Sequence, residues 1–342
     1  MHKQVIFDRY AFADYSGAGP DRQQRQAIAW AVAGRLTLAA DSKARPDDGL
    51  PGAEKPGPAR GVQAAAATAS TSAQAQGQGG VSARKGFTRQ SLYEAALALL
   101  RLASTAGERV LFGFDHNYSF PVGFYDAVTG RAPANWRELV DWLYASMQDF
   151  VENDRLFPRK WAAMQNRLLE QRHGWPVGPF WGPHFQPLQR RFVYTPSDTP
   201  YEAGEAPRIR DHRLTELRHP SAKSIFQLGG NGSVGLQSLF GIYYLKKLLD
   251  RCAEEGIAVH AWPYDGWDIP ATGHVLIEVY PTLFVPPEQR RSDAGDAEAC
   301  ANWALAADAD GTLRGWLAKP QKLDPAAEAR VLLEGWIAGV EL

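Results

Sequence analysis

Residues 109–121 read RVLFGFDHNYSFP, and the fold turns on them. Val110, Leu111, Phe112 and Phe114 form a short apolar run that suits a strand buried on both faces of a sheet. Asp115 stands directly after it. A carboxylate this close to a core strand costs several kcal/mol in desolvation unless it is paired, hydrogen-bonded or bound to metal. Open α/β sheets place their chemistry at the carboxyl ends of strands. Asp115 is therefore either a functional acid or an Asp that caps a turn, and this stretch alone leaves both open.

On the N-terminal side, residues 5–14 (VIFDRYAFAD) read as a first strand ending in a second acid, Asp14, and the small-residue run Tyr15-Ser16-Gly17-Ala18-Gly19. That run is either an ordinary turn or a metal-binding Asp followed by Ser16 and Gly17 as contacts for an approaching phosphate. Residues 26–38 read as a hairpin around Gly34-Arg35. Residues 42–86 change character: they are rich in Ala, Gly, Gln, Ser and Pro, with Leu50, Val62 and Val81 as the only large aliphatics. Such a segment cannot bury enough surface to offset chain entropy, so a disordered insertion is expected there. Residues 88–106 form a helix with Thr88 as cap, Gly107 as stop and a stripe of Leu92, Ala95, Ala96, Leu99, Leu100 and Ala103.

After Asp115 the pattern is interrupted over 117–225. Helical pieces at 136–151 and 161–171 precede a Pro- and Trp-rich loop, GWPVGPFWGPHFQP, at 174–187. Residues 155–223 carry 12 Lys and Arg against 6 Asp and Glu, in a chain whose formal charge is -1. This is either a solvated insertion with scattered charge or a basic aromatic lid, in which Arg167, Arg213 and Lys223 steer phosphates. The loop GGNGSVG at 229–235 then opens a helix to about residue 255, with Ser233 as the expected cap and Gly256 as stop. Gly232 and Ser233 could receive an anion at that helix start. No Gly-Lys-Ser/Thr follows, so this is not a nucleotide P-loop, and the glycines equally serve an entry turn.

Residues 274–284 (HVLIEVYPTLF) read as a strong strand that Pro281 ends. Glu278 interrupts its apolar run, and a lone Glu in a buried strand is unusual enough to weigh as a functional acid. Residues 292–307 form a helix with Asp293 and Asp296 in its first turns. Acids there complement the helix dipole, and at a spacing of three both can face one site. A last helix starts at Asp324-Pro325 with a packing stripe of Ala329, Leu332, Leu333, Trp336, Ile337 and Val340.

The bulk numbers bound the classes. The 342 residues suffice for one large domain or two modest ones. Near-neutral charge gives no sign of a uniformly basic nucleic-acid binder, and the 11 Trp suggest stacking surfaces or a well-filled core. Cys252 and Cys300 are far apart, which argues against zinc and a disulfide framework and suits a reducing compartment. The N-terminus lacks a signal-peptide core and no window approaches the roughly 20 apolar residues of a membrane span. The expectation is a soluble, cytoplasmic protein without a membrane partner.

The order of strand with acid, hairpin, helix, strand with acid, insertion, helix, strand with Glu, and helix with acids resembles the ribonuclease H-like superfamily. FADYSGAG (12–19), GFDHNYSFPVGF (113–124), GPFWG (178–182), RLTEL (213–217), SIFQLGGNGSVGLQSLFGI (224–242) and EVYPTLF (278–284) together look like an uncharacterised bacterial domain-of-unknown-function branch of it, a predicted nuclease. The resemblance implies one domain over 1–41 and 87–342, with a mixed five-stranded sheet flanked by helices and the 117–225 lid inserted in it. It implies catalytic acids at Asp14, Asp115, Glu278 and Asp296, with Asp293 as the rival for the fourth place and His116 as an added candidate. Asp14 and Asp115 would leave adjacent parallel strands, about 5 Å apart by strand spacing. Mg²⁺ or Mn²⁺ would relieve the repulsion among these acids. Two such ions about 4 Å apart would clamp a phosphodiester of a nucleic acid or nucleotide substrate, Asp14 bridging them, Asp115 and Glu278 each holding one and Asp296 completing the second site. The rival readings are a small-molecule nucleotide- or phosphate-handling enzyme and a non-catalytic ligand-binding protein on the same fold. Two-copy sugar-kinase folds are disfavoured, because the chain shows no internal repeat.

Overall fold

The computed structural model describes residues 5–34, 81–175, 178–182, 209–219, 221–230, 232–285 and 292–341. Strand β1 (Arg9–Asp14) ends at the expected acid. A short helix with no clear sequence signal, α1 (Asp21–Ala27), leads into β2 (Ala29–Gly34). The hairpin expected around Gly34-Arg35 takes a different partner. The strand beside β2 is β3 (Ser82–Lys85), paired antiparallel with Ala29 opposite Lys85 and Val32 opposite Ser82. β3 lies inside the segment expected to be a disordered insertion, of which residues 42–80 lie outside the described residues, as do 35–38. It is an outer strand with mostly exposed side chains. Its place rests on ladder hydrogen bonds rather than apolar content, so composition could not reveal it. Helix α2 (Arg89–Ala106) is closed at its start by a capping box of Thr88 and Ser91 and stopped by Gly107 at φ 69°. β4 (Val110–Phe114) follows, buried at every position. Gly113 is required there, because a Cβ would meet the Ile277 carbonyl oxygen at 2.2 Å.

The interruption after β4 contains α3 (Phe124–Thr129), α4 (Trp136–Gln148), the hairpin β5 (Val151–Glu152) and β6 (Arg155–Leu156), and α5 (Pro158–His173). The expected helix over 136–151 stops at Gln148. Asn153 and Asp154 turn the chain with φ of 49° and 60°, the left-handed pair a two-residue hairpin demands. The aromatic residues expected on a lid are interior. Trp161, Phe180 and Trp181 are buried in the same core as Leu100, Phe112 and Phe226. The rest of the 174–187 loop falls largely outside the described residues.

Helix α6 (Gly235–Glu254), β7 (Val259–Ala261), β8 (His274–Glu278), α7 (Asp293–Asp310), α8 (Leu313–Trp316) and α9 (Pro325–Glu334) complete the chain. Asp324 caps α9, but that helix ends at Glu334, and Trp336, Ile337 and Val340 pack beyond it. The sheet is mixed and six-stranded, in the order β3-β2-β1-β4-β8-β7, one strand more than expected because β7 adds an edge. β1, β4, β8 and β7 run parallel, and β2 is antiparallel to both its neighbours. The chain is thus of the α/β class. One face, bearing Ala11, Ala13, Phe112, Phe114 and Leu276, packs against α2, α4 and α6. The other, bearing Tyr10, Phe12, Leu111, Val275 and Ile277, is covered by α7 and the C-terminal segment. Among the described residues no helix is long and apolar enough to cross a membrane.

Candidate functional site

The register of the central strands fixes where each acid goes. Ala13 of β1 pairs with Phe114 of β4, and the Asp115 amide donates to the Ala13 carbonyl at 3.0 Å. Asp14 and Asp115 therefore leave adjacent parallel strands side by side. Alternation along the strands turns Asp14 to the face of Tyr10 and Phe12, where α7 lies. Ser292 caps α7 by accepting from the Gly295 amide at 3.1 Å, which places Asp293 and Asp296 in its first turn. A side-chain hydrogen bond joins Asp14 to Asp115. Burial pushes the Asp14 carboxyl up to about 9, and the charges of Asp115, Asp293 and Asp296 add to the shift in that order. The shift favours the protonated form of Asp14. Asp293 also forms a half-exposed ion pair with Lys85 of β3 at 2.7 Å.

Glu278 does not join this group. It sits at the end of β8, one strand beyond β4 as expected, but it pairs with Phe114 rather than Asp115. That one-residue offset points its side chain to the opposite face of the sheet. There it is 3% exposed and bound to Arg213, which is itself fully buried. Arg213 Nη1 donates to Glu278 Oε2 at 2.7 Å, Nη2 donates to Oε1, and Nε donates to Glu216 Oε1 at 2.8 Å. Burial pulls the Arg213 guanidinium down, but Glu216 and then Glu278 outweigh it and hold it well above its ordinary value. Burial raises the Glu278 carboxyl, against the lowering effect of Arg213. The two tendencies oppose each other, and the two-pronged geometry decides for a charged pair. Glu278 is therefore a partner of arginine rather than a metal ligand, and Arg213 an internal tie rather than a phosphate-steering residue. The tie extends further: Asn117 Nδ2 donates to Glu216, and Ser238 Oγ of α6 donates to Asn117 Oδ1 at 2.8 Å.

Comparison with family models, with curated proteins and with solved structures gives no match for this chain. The site therefore rests on its own geometry.

The remaining candidates divide. His116 is buried and neutral: burial lowers its pKa to about 3, its Nδ1–H donates to the Asn117 carbonyl at 2.9 Å, and its ring lies against Phe114, Tyr15 and Tyr118. It is a packing residue and not a substrate contact. Ser16 and Gly17 do lie beside the acids. Ser16 Oγ accepts from the Ala18 amide at 3.1 Å, and a Cβ at Gly17 would stand 3.0 Å from Leu236 Cβ at the start of α6. Ser233 is not the α6 cap. Val234 occupies that position and has no side-chain acceptor to offer; the Gly235 amide donates instead to the Gln227 carbonyl at 3.0 Å. Lys223 and Gly232 lie beside each other, and Arg167 is exposed on α5.

Two further residues, which carry no signal in the sequence, shape the site. Gln237 Nε2 donates to the Asp115 carbonyl at 2.7 Å. Arg89, 4% exposed, donates through Nη2 to the carbonyls of Ser16 (2.8 Å) and Ala18 and stacks over the Phe240 ring at 3.5 Å. An Arg at the first position of a helix gives no hint of this role. The loop that Arg89 holds opens into a cleft of about 1070 Å³ between α1, α2, the β5–β6 hairpin, α5 and α6. Asp14 and Asp115 lie outside its walls; Gly17, three residues past Asp14, is where the two meet. Arg167, Arg213, Lys223, Gly232 and Ser233 do not line it.

Asp14 and Asp115 supply hard oxygen donors, and a buried carboxylate pair that must otherwise share a proton suits a divalent cation. Among the described residues no group of three or more His, Cys, Asp or Glu is arranged to hold one. The donor set fits a single Mg²⁺ or Mn²⁺ on the Asp14–Asp115 pair. It does not fit the two-ion set, whose Glu278 faces the other way.

Proposed function

We propose that this protein is a divalent-metal-dependent phosphodiester hydrolase of ribonuclease H-like fold, working with Asp14 and Asp115. The observation that carries the reading is the hydrogen-bonded carboxylate pair at the carboxyl ends of β1 and β4, with Asp293 and Asp296 close enough to raise Asp14. The strand order supports the fold assignment: β1 lies beside β4, β8 lies beyond β4, and β2 and β3 follow antiparallel on the other side. We read this as the arrangement of the superfamily and of its uncharacterised bacterial branch.

Asp14 and Asp115 would hold the ion, which when bound supplies positive charge toward the developing charge of a phosphodiester. Gln237 and the β1–β4 ladder fix the Asp115 backbone. Arg89 fixes the Ser16–Ala18 loop, so the approach of a substrate past Gly17 is set before binding. The hydrogen bond between the two acids supports a second reading, in which they share a proton and act as a general acid–base pair without metal. One experiment separates these. Labelled oligonucleotides are incubated with the protein in Mg²⁺, in Mn²⁺ and in chelator. Ion-dependent cleavage lost in both Asp14→Asn and Asp115→Asn is expected. Cleavage undiminished in chelator selects the acid–base pair, and cleavage that survives both variants overturns both readings.

A further inference from the structure

One face of α6 forms the floor of the large cleft. Leu236, Phe240, Tyr243, Tyr244 and Lys247 recur at helical spacing along it, and all line the cavity. Leu236 touches Gly17 beside the acids, and Lys247 lies 11 residues further on, about 16 Å at the helical rise. The opposite wall comes from the β5–β6 hairpin and the start of α5, with Arg155, Arg159 and Lys160. The lining carries five Lys and Arg side chains against two carboxylates, Asp21 and Asp154. The cleft is thus an aromatic floor beneath a basic wall, leading away from the Asp14–Asp115 end of the sheet.

We infer that this cleft is a track for single-stranded nucleic acid. Exposed bases stack on aromatic rings while cations follow the backbone, a combination that serves a single strand and that a duplex, its bases already stacked, cannot use. Phe157 and Tyr244, both partly exposed, provide rings on opposite sides. Lys247 is held among three tyrosines, its Nζ 5.3 Å from the Tyr93 ring, 6.0 Å from Tyr243 and 5.2 Å from Tyr244, and it forms no ion pair among the described residues. Arg155 faces Asp21 at 3.6 Å, with both side chains more than half exposed. Such a long, solvated contact yields readily to phosphate. The cavity, about 1070 Å³, lies past the upper end of roughly 300–1,000 Å³ for small-molecule sites. These observations favour a polymer over a free nucleotide. The basic excess of the insertion is then used at 155–160 rather than at Arg167, Arg213 and Lys223.

The inference rests on the hydrolase reading for what happens at the end of the track, but binding is testable apart from cleavage. Fluorescence anisotropy of labelled oligonucleotides is measured in chelator with the full chain. Single strand is expected to bind at least tenfold tighter than duplex of the same sequence. Arg155→Ala and Lys247→Ala should each weaken single-strand binding several-fold and reduce the salt slope by about one. Tyr244→Ala should weaken it about tenfold with the slope unchanged. Thermal melts of these variants check that they remain folded. Equal affinity for duplex and single strand, or binding indifferent to Arg155, Lys247 and Tyr244, overturns the track. Binding as expected with no cleavage under any ion condition overturns the hydrolase reading and leaves the track standing.

Discussion

Glu278→Gln separates a metal ligand from a structural ion pair with almost no change of shape. Glu278 accepts two hydrogen bonds from Arg213 and one from the Tyr118 amide at 3.3 Å, all buried. Breaking a buried ion pair from one side costs about 3–5 kcal/mol, because the remaining charge stays in the interior. Glu216 still partners Arg213 through Nε, which places the expected loss near the lower end, about 3 kcal/mol. Against a typical domain stability of about 5–15 kcal/mol the variant stays folded and is plainly weakened. Urea unfolding at pH 7 reads the loss, and calorimetric titration with Mn²⁺ reads the site. The expected result is reduced stability with and without Mn²⁺ and unchanged ion affinity. Asp14→Asn should do the reverse, losing ion affinity without losing stability in chelator. If Glu278→Gln left stability unchanged and abolished Mn²⁺ binding, the assignment of Glu278 to Arg213 would be wrong.

The Asp14 carboxyl, at about 9 in the folded chain against 3.8 in its ordinary state, makes stability in chelator fall as pH rises between those values. The slope has an upper bound of about 1.4 kcal/mol per pH unit. Melts from pH 5 to 8.5 should show it in the parent, with a flatter profile in Asp14→Asn, and a pH-independent parent would contradict the buried pair. His116, held neutral by burial, should show no imidazole titration by NMR between pH 5 and 8, whereas a midpoint near 6.5 would place it in contact with water or an acid. Gly241→Ala should cost about 1–3 kcal/mol in urea unfolding, because a Cβ there would stand 2.4 Å from the His116 ring, and a neutral outcome would mean the ring can move aside.

The acids at Asp14 and Asp115 are legible in the sequence because packing alone seldom ends an apolar run on a carboxylate. Their adjacency is contained in neither stretch; it comes from the order of elements and the resemblance. Glu278 misleads for a definite reason. Its strand and strand end are as expected, but side chains alternate, and whether β8 is offset from β4 by zero or one residue decides which face receives the acid. No local feature of HVLIE sets that offset. β3 escapes notice because an exposed edge strand needs no apolar pattern. Trp161 and Phe180 face the core rather than a lid surface, and the two cases look the same in sequence. The basic excess is real, but within it Arg213 is an internal tie while Arg155, Arg159 and Lys160 line the cleft, a distinction that only packing makes.

The same end of the sheet thus meets the cost of buried carboxylates in two ways. On one face Glu278 is neutralised by Arg213, whose other bonds run to Glu216 and to the Glu334 carbonyl, a fixed arrangement that locks the insertion to the sheet. On the other face burial, with the charges of Asp115, Asp293 and Asp296 adding to it, favours the protonated form of the Asp14 carboxyl. An arginine tied into the backbone cannot leave, whereas a proton exchanges with solvent and yields to a cation. The two faces therefore differ in kind. Substitutions at Glu278, Arg213 and Glu216 act through folding, and substitutions at Asp14 and Asp115 act through the charge the site can accept. The second pair is the one that can change state when a ligand arrives, and it stands beside the Gly17–Gly19 loop, which opens on the large cleft.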